Sequence, residues 1–224
     1  MKYSNFFFNI VAKNLESKKI FIKDKKFEYK YFHIKNFFFS LIKKFGNQKR
    51  QIKICTLSEK SFFLYSSILS IILSRNIWIP IDSELPRNII KYILSLSKAD
   101  IVLVDHKNEK KFCNFLKKNK VNYINIEKIK FKTSSASINT KNYKDEDESM
   151  IFFTSGSTGY PKGVLMTNKN FISSLKGQMK HIFNKIKNKN LVFGDYHNTS
   201  FVILLNILFP CLLLKGRISY AKNK

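Results

Sequence analysis

The chain has 224 residues, with 41 Lys plus Arg against 15 Asp plus Glu and a formal net charge of +26. That length suits one sizeable domain, or one and a half, with a real core. An apolar fraction of 44% and an aromatic fraction of 15% exclude a disordered chain despite the charge.

Taken in chain order, Phe6 to Leu15 predicts a short helix with Phe7, Phe8, Ile10 and Val11 inward. Lys19 to Tyr31 is rich in strand formers around Asp24-Lys25-Lys26, which predicts a hairpin. Phe32 to Phe45 has helical spacing and ends at Gly46, a C-cap residue. Gln51 to Leu57 predicts a strand, Ser61 to Ser74 an apolar helix, and Trp78 to Asp82 a buried strand and turn. A helix follows Pro86, a strand covers Ile101 to Asp105, a helix Phe112 to Lys118 and a strand Val121 to Ile126. Glu127 to Ser149 lacks periodicity and reads as a connector, with the acidic run Asp145 to Glu148 as a solvated turn. Strands alternating with helices predict an α/β fold with largely parallel sheets. Residues 1–126 form a first α/β portion, 127–149 the connector and 150–224 a second portion.

The charge suggests a nucleic-acid or anionic-membrane binder. The composition points elsewhere. Only four basic residues are Arg (Arg50, Arg75, Arg87, Arg217), and Gly totals 7, Pro 4 and Phe 22. The abundant residues have AT-rich codons and the scarce ones GC-rich codons, so base composition accounts for the charge without selection for a basic surface. Nucleic-acid readers favour Arg for its fork of donors. No nucleic-acid and no membrane partner is expected, and a basic nucleic-acid binder stands as a competing reading. Cys55, Cys113 and Cys211 lie far apart with no zinc spacing and no disulfide framework, as in a reducing cytoplasm. The apolar run Phe201 to Leu214 is too short for a bilayer and reads as core.

Met150 to Phe153 is a short apolar strand running into Thr154-Ser155-Gly156-Ser157-Thr158-Gly159-Tyr160-Pro161-Lys162-Gly163. Three of the seven glycines fall in these ten residues. Glycine permits positive φ and close backbone approach, and successive exposed N–H groups form an anion nest. Thr154, Ser155, Ser157 and Thr158 add hydroxyl donors, and Lys162 a point charge suited to phosphate. The segment therefore predicts a phosphate-cradling loop. It is not a Walker A loop, which from Gly156 needs Gly where Pro161 stands. Phe171, Leu175, Met179 and Ile182 then lie at helical spacing, with Thr167 or Asn168 as N-cap.

The loop from Thr154 to Gly163 resembles the signature loop of the adenylate-forming superfamily. Acyl-CoA synthetases, nonribosomal peptide synthetase adenylation domains, luciferases and D-alanine–carrier-protein ligases belong to it. Trp78-Ile79-Pro80-Ile81-Asp82-Ser83-Glu84-Leu85-Pro86-Arg87 resembles a second segment of that family, with Arg87 two positions early and Arg75 where a Gly is expected. The resemblance implies an incomplete N-terminal part of the adenylate-forming ligase fold. It implies ATP-dependent conversion of a carboxylic or amino acid to an acyl-adenylate, with Mg2+, followed by transfer to a thiol of CoA or a carrier protein. Thr154, Ser155, Gly156, Ser157, Thr158, Gly159, Lys162 and Gly163 are the implied ATP phosphate contacts. Asp195, His197, Asn198 and Ser200 mark the implied acid-binding segment. There His197 stands at the Phe, and Asn198 at the Asp, of the amino-acid-activating pattern.

Three later motifs of the family are missing from the 224 residues: the adenine-site motif, the ribose-binding Asp and the C-terminal domain with its catalytic Lys. No metal ligand is identified. The resemblance therefore carries the expectation of a truncated, frameshifted or split protein that needs a separately encoded C-terminal half to complete adenylation. A non-catalytic nucleotide-binding remnant is the alternative.

Overall fold

The computed structural model describes residues 3–24, 27–46, 50–156, 159–183, 186, 190–200 and 202–221. Its first half runs α1 (Tyr3–Asn14), β1 (Ile20–Lys23), β2 (Glu28–Lys30), α2 (Tyr31–Phe45), β3 (Lys53–Leu57), α3 (Phe62–Leu73), β4 (Ile77–Pro80), α4 (Arg87–Ser97), β5 (Ile101–Val104), α5 (His106–Lys118) and β6 (Asn122–Asn125). A 3-10 turn and an irregular stretch lead to β7 (Glu148–Thr154), β8 (Lys162–Thr167), α6 (Asn168–His181), β9 (Val192–Asp195), α7 (Ile203–Leu214) and β10 (Arg217–Tyr220).

The strands form a six-stranded sheet, β6-β5-β3-β4-β7-β8, and a four-stranded sheet, β2-β1-β10-β9. Only the β1–β2 and β7–β8 pairs are antiparallel among the described pairings. The fold class is therefore α/β with mostly parallel sheets flanked by helices, as the strand–helix alternation predicts. Residues on either side of 127–149 contribute to both sheets.

Period-2 alternation explains the six-stranded sheet. Ile54, Trp78 and Leu103 face a large core built with α1, α2, α3, α6 and α7. Cys55, Leu57, Ile79, Val102 and Val104 face the opposite way, against Ile90, Ile93 and Leu94 of α4 and Phe112 and Leu116 of α5. Both faces are covered, so β4 and β5 read as unbroken apolar runs and β3 is interrupted only by Lys53 at its start and Thr56. Tyr31 ties α2 to the end of α7, its hydroxyl donating to the carbonyls of Cys211 (2.8 Å) and Gly216 (2.7 Å).

Three differences from the sequence reading have physical causes. First, α5 starts at His106 rather than Phe112, because Asp105 caps it by accepting from the Asn108 N–H at 2.7 Å. Second, a strand, β8, stands between the loop and α6. Third, the acidic run is not a free solvated turn. The Asp145 carboxylate accepts from the backbone N–H and hydroxyl of Ser4, and Asp147 lies 3.7 Å from Arg75. The connector also buries Tyr143, whose ring stacks on Phe8 and whose hydroxyl donates to the Leu73 carbonyl at 2.7 Å.

Four helices end in the same way. Arg75, Lys98, Lys120 and Lys215 have φ of 60°, 51°, 55° and 51°. In each case the next N–H reaches back five residues: Asn76 to Ile71, Ala99 to Leu94, Val121 to Leu116, and Gly216 to Cys211. This is the Schellman pattern, with a basic residue in the left-handed position.

No helix among the described residues is long and apolar enough to cross a membrane. The run 201–214 is instead core: Leu204, Leu205, Leu208, Phe209, Cys211 and Leu212 of α7 are all buried. Burial also raises the Cys211 thiol, up to about 12, and raises that of Cys55 further. Only Cys113 is partly exposed among the three free thiols. Reaction of the folded protein with a maleimide at pH 8 is expected to modify Cys113 alone, and all three thiols once urea is added. Mass spectrometry of the adduct checks this, and rapid triple labelling without urea would contradict the burial.

Candidate functional site

The parallel strands of the six-stranded sheet deliver their C-terminal ends to one edge, where ligands collect in open α/β sheets. Ser58 to Ser61 follow β3, Asp82 follows β4, Asp105 follows β5 and the loop at Thr154 follows β7.

The loop joins β7 to β8 as a hairpin, with Thr154 opposite Lys162 and Phe153 opposite Gly163. The Gly159 N–H donates to the Gly156 carbonyl at 3.1 Å, closing a turn. Gly159 sits at φ +83°, where a side chain would be strained. A Cβ on Gly156 would lie 2.2 Å from the Tyr160 carbonyl oxygen, so only glycine fits there. The Tyr160 ring packs on Tyr92 at 4.9 Å and anchors the outer end. Thr154, Ser155 and Lys162 are exposed, and their side chains make no hydrogen bond or ion pair with described residues. The loop therefore offers hydroxyls, an ammonium and a glycine-shaped backbone to an incoming anion. Ser157 and Thr158 lie outside the described residues.

The implied acid-binding segment lies where the two sheets meet. Asp195, at the end of β9, is fully buried. Lys60 Nζ lies 3.2 Å from its carboxylate and also donates to its carbonyl at 3.0 Å. The Tyr65 hydroxyl donates to Asp195 Oδ2 at 2.6 Å, and the His197 N–H to Oδ1 at 3.3 Å. Burial, with the Asp195 carboxylate beside it, drives the Tyr65 phenol far up. Asn198 Nδ2 donates to Asp82 Oδ2 at 2.7 Å, and its Oδ1 accepts from the Ser200 N–H and hydroxyl. The segment is thus clamped to the six-stranded sheet at two points, Lys60 and Asp82.

Lys60, Asp82, His197 and Asn198 line a cavity of about 460 Å³ in the cleft, and none of the described loop residues does. The structure thus brings His197 and Asn198 to a cavity, places Ser200 behind Asn198, and keeps Asp195 beneath, engaged with Lys60 and Tyr65. Sequence reasoning missed Lys60 and Tyr65. Lys60 is one lysine among many, and nothing local distinguishes it. Asp82 was in view as part of the Trp78–Arg87 segment, although its partner was not.

A glycine-shaped loop with exposed hydroxyls and an ammonium, at the carboxyl edge of a mostly parallel sheet, is a geometry suited to a phosphate or nucleotide. Comparison with known proteins gives the family. Residues 40–224 match the family of AMP-binding enzymes, and the chain belongs to it. It is similar to polyketide synthase PksN of Bacillus subtilis, 28% identical over 173 residues that make up 76% of this chain and 3% of that protein. Gramicidin S synthase 1 of Brevibacillus brevis is 28% identical over 155 residues, 69% of this chain and 14% of its own length. Among solved structures, the adenylation domain AlmE of Vibrio cholerae, in complex with glycyl-adenosine-5'-phosphate, superposes with a TM-score of 0.80 at 16% identity. That match covers 96% of this chain and 44% of AlmE. O-succinylbenzoate coenzyme A synthetase MenE of Bacillus subtilis, in complex with AMP, gives 0.79 at 16% identity, covering 96% of this chain and 56% of that one. The chain therefore spans a small share of these curated relatives and about half of these structures.

Proposed function

We propose that the chain serves ATP-dependent activation of a carboxylic or amino acid as an acyl-adenylate, destined for a thiol of CoA or a carrier protein. The observation that carries this reading is the loop between β7 and β8. Among the described residues, the side chains of Thr154, Ser155 and Lys162 have no partner, and the turn admits only glycine at Gly156. The donor set fits the β- and γ-phosphates of ATP: Thr154, Ser155 and the Gly156–Gly159 turn would hold their oxygens. Lys162 would neutralise charge that builds on the departing pyrophosphate. Catalysis by such a loop is positioning and charge stabilisation. His197 and Asn198 would line the acid's path from the cleft, oriented by Asp82 and Asp195 beneath them. Among the described residues no cluster of His, Cys, Asp and Glu stands ready to hold a metal. A magnesium ion accompanying ATP would be held chiefly by the phosphates themselves.

Lys162→Ala is expected to weaken ATP or pyrophosphate binding about tenfold or more, the scale of one charged hydrogen bond removed. Calorimetric titration checks this, and unchanged affinity would refute the loop assignment. Pyrophosphate exchange with a panel of acids then separates activation from nucleotide binding alone.

A further inference from the structure

At the opposite end of the four-stranded sheet lies a second cavity of about 590 Å³, at the starts of β1, β9 and β10. Its lining gathers five cations, Lys18, Lys19, Lys30, Lys215 and Arg217, against one acid, Glu28. That acid is already neutralised, with Lys23 Nζ at 2.7 Å. None of the five cationic side chains donates to or pairs with a described residue. We propose that this cavity is a second anion site, separate from the loop at 154–163, which takes a small polyanion bearing phosphate groups.

Three observations carry the proposal. The first is Arg217. Base composition explains abundant lysine, but it works against arginine, so each of the four arginines asks for a reason. Arg50 pairs with Asp100, Arg75 with Asp147, and Arg87 donates to the Lys111 carbonyl. The Arg217 side chain has no hydrogen-bond or ion-pair partner within reach among the described residues, although its charge acts with Lys23 and Lys30 to lower the pKa of Glu28; it lines the cavity with its five donors uncommitted. The second is segregation. Five like charges around one concavity repel one another, and a multivalent anion relieves that repulsion. The 460 Å³ cleft, reached from the far ends of β1, β9 and β10, is mixed in charge instead: Asp24, Asp82, Asp105, Glu59, Glu84 and Glu127 line it together with Lys60 and Lys107. The third is size: about 590 Å³ falls in the range of small-molecule pockets, roughly 300–1,000 Å³.

Tripolyphosphate is the probe, titrated calorimetrically into the full chain carrying Lys162→Ala, which weakens the loop. Binding is expected to persist in that background. It should fall about tenfold or more when Lys215→Ala and Arg217→Ala are added, since two charged donors are lost. Both residues are exposed, and circular dichroism confirms the fold of each variant. A control pair removing equal charge elsewhere, Lys130→Ala with Lys132→Ala, should leave binding unchanged. Absence of binding in the Lys162→Ala background, or equal loss in the control pair, would overturn the site. Displacement of tripolyphosphate by a single-stranded oligonucleotide at lower phosphate concentration would overturn the small-ligand assignment in favour of a nucleic acid.

Discussion

Lys60→Met is expected to destabilise the protein by about 3–5 kcal/mol, the cost of leaving a buried charge without its partner. The Lys60 side chain is 7% exposed and Asp195 is fully buried. Methionine matches the stem of lysine but supplies no charge and no donor, so the carboxylate keeps only the Tyr65 hydroxyl and one backbone N–H. The pair also joins the β3–α3 turn to the end of β9, so its loss removes one of the two clamps on the 195–200 segment and leaves Asn198–Asp82 as the other. Urea unfolding followed by the fluorescence of Trp78 measures the effect. Adding Asp195→Asn to Lys60→Met should recover a large part of the loss, because the unpaired charge is then gone. A Lys60→Met variant within about 1 kcal/mol of the parent would mean that the pair is solvated and does not clamp the sheets.

Gly156→Ala is expected to separate binding from stability. The added Cβ meets the Tyr160 carbonyl oxygen at 2.2 Å, far inside contact distance, so the turn closed by Gly159 must open. The loop is a surface hairpin, and substitutions outside the core usually move stability by about 0.5 kcal/mol. The backbone around Gly156 and Gly159 proposed to face the phosphates must, however, move. ATP or pyrophosphate affinity should therefore fall about tenfold or more, while the urea midpoint barely moves. Gly177→Ala in α6, with nothing within 4 Å of the new methyl, is the control and should leave binding unchanged. Parent-like affinity in Gly156→Ala would show that the loop's backbone does not hold the ligand.

The sequence made local features readable and left long-range ones hidden. The apolar runs at Ile77–Ile81 and Ile101–Val104 announce strands covered on both faces, because side-chain period and burial are local properties. The loop at Thr154–Gly163 is readable for a different reason: in a chain with seven glycines, three in ten residues stand out. Helix α5 loses its first turns to the reading, because His106–Lys111 carries no apolar stripe and Asp105 alone marks the start. Strand β8 is hidden because its Val164 and Leu165 are half exposed at a sheet edge and its start is shared with the loop. The Lys60–Asp195 pair spans 135 residues, and only the fold brings its members together.

The four helices that end on Arg75, Lys98, Lys120 and Lys215 have a consequence of their own. The left-handed position costs an ordinary residue roughly 1–2 kcal/mol, and glycine almost nothing. A side chain there carries something glycine lacks, a positive charge set against the negative end of the helix dipole, worth about 0.3–1 kcal/mol. The exchange is therefore partly self-correcting: the residue type that strains the backbone at these turns also places a positive charge near the negative end of the helix dipole. Basicity in this protein is thus a structural material as well as a surface property. It substitutes for glycine at the places where helices must stop.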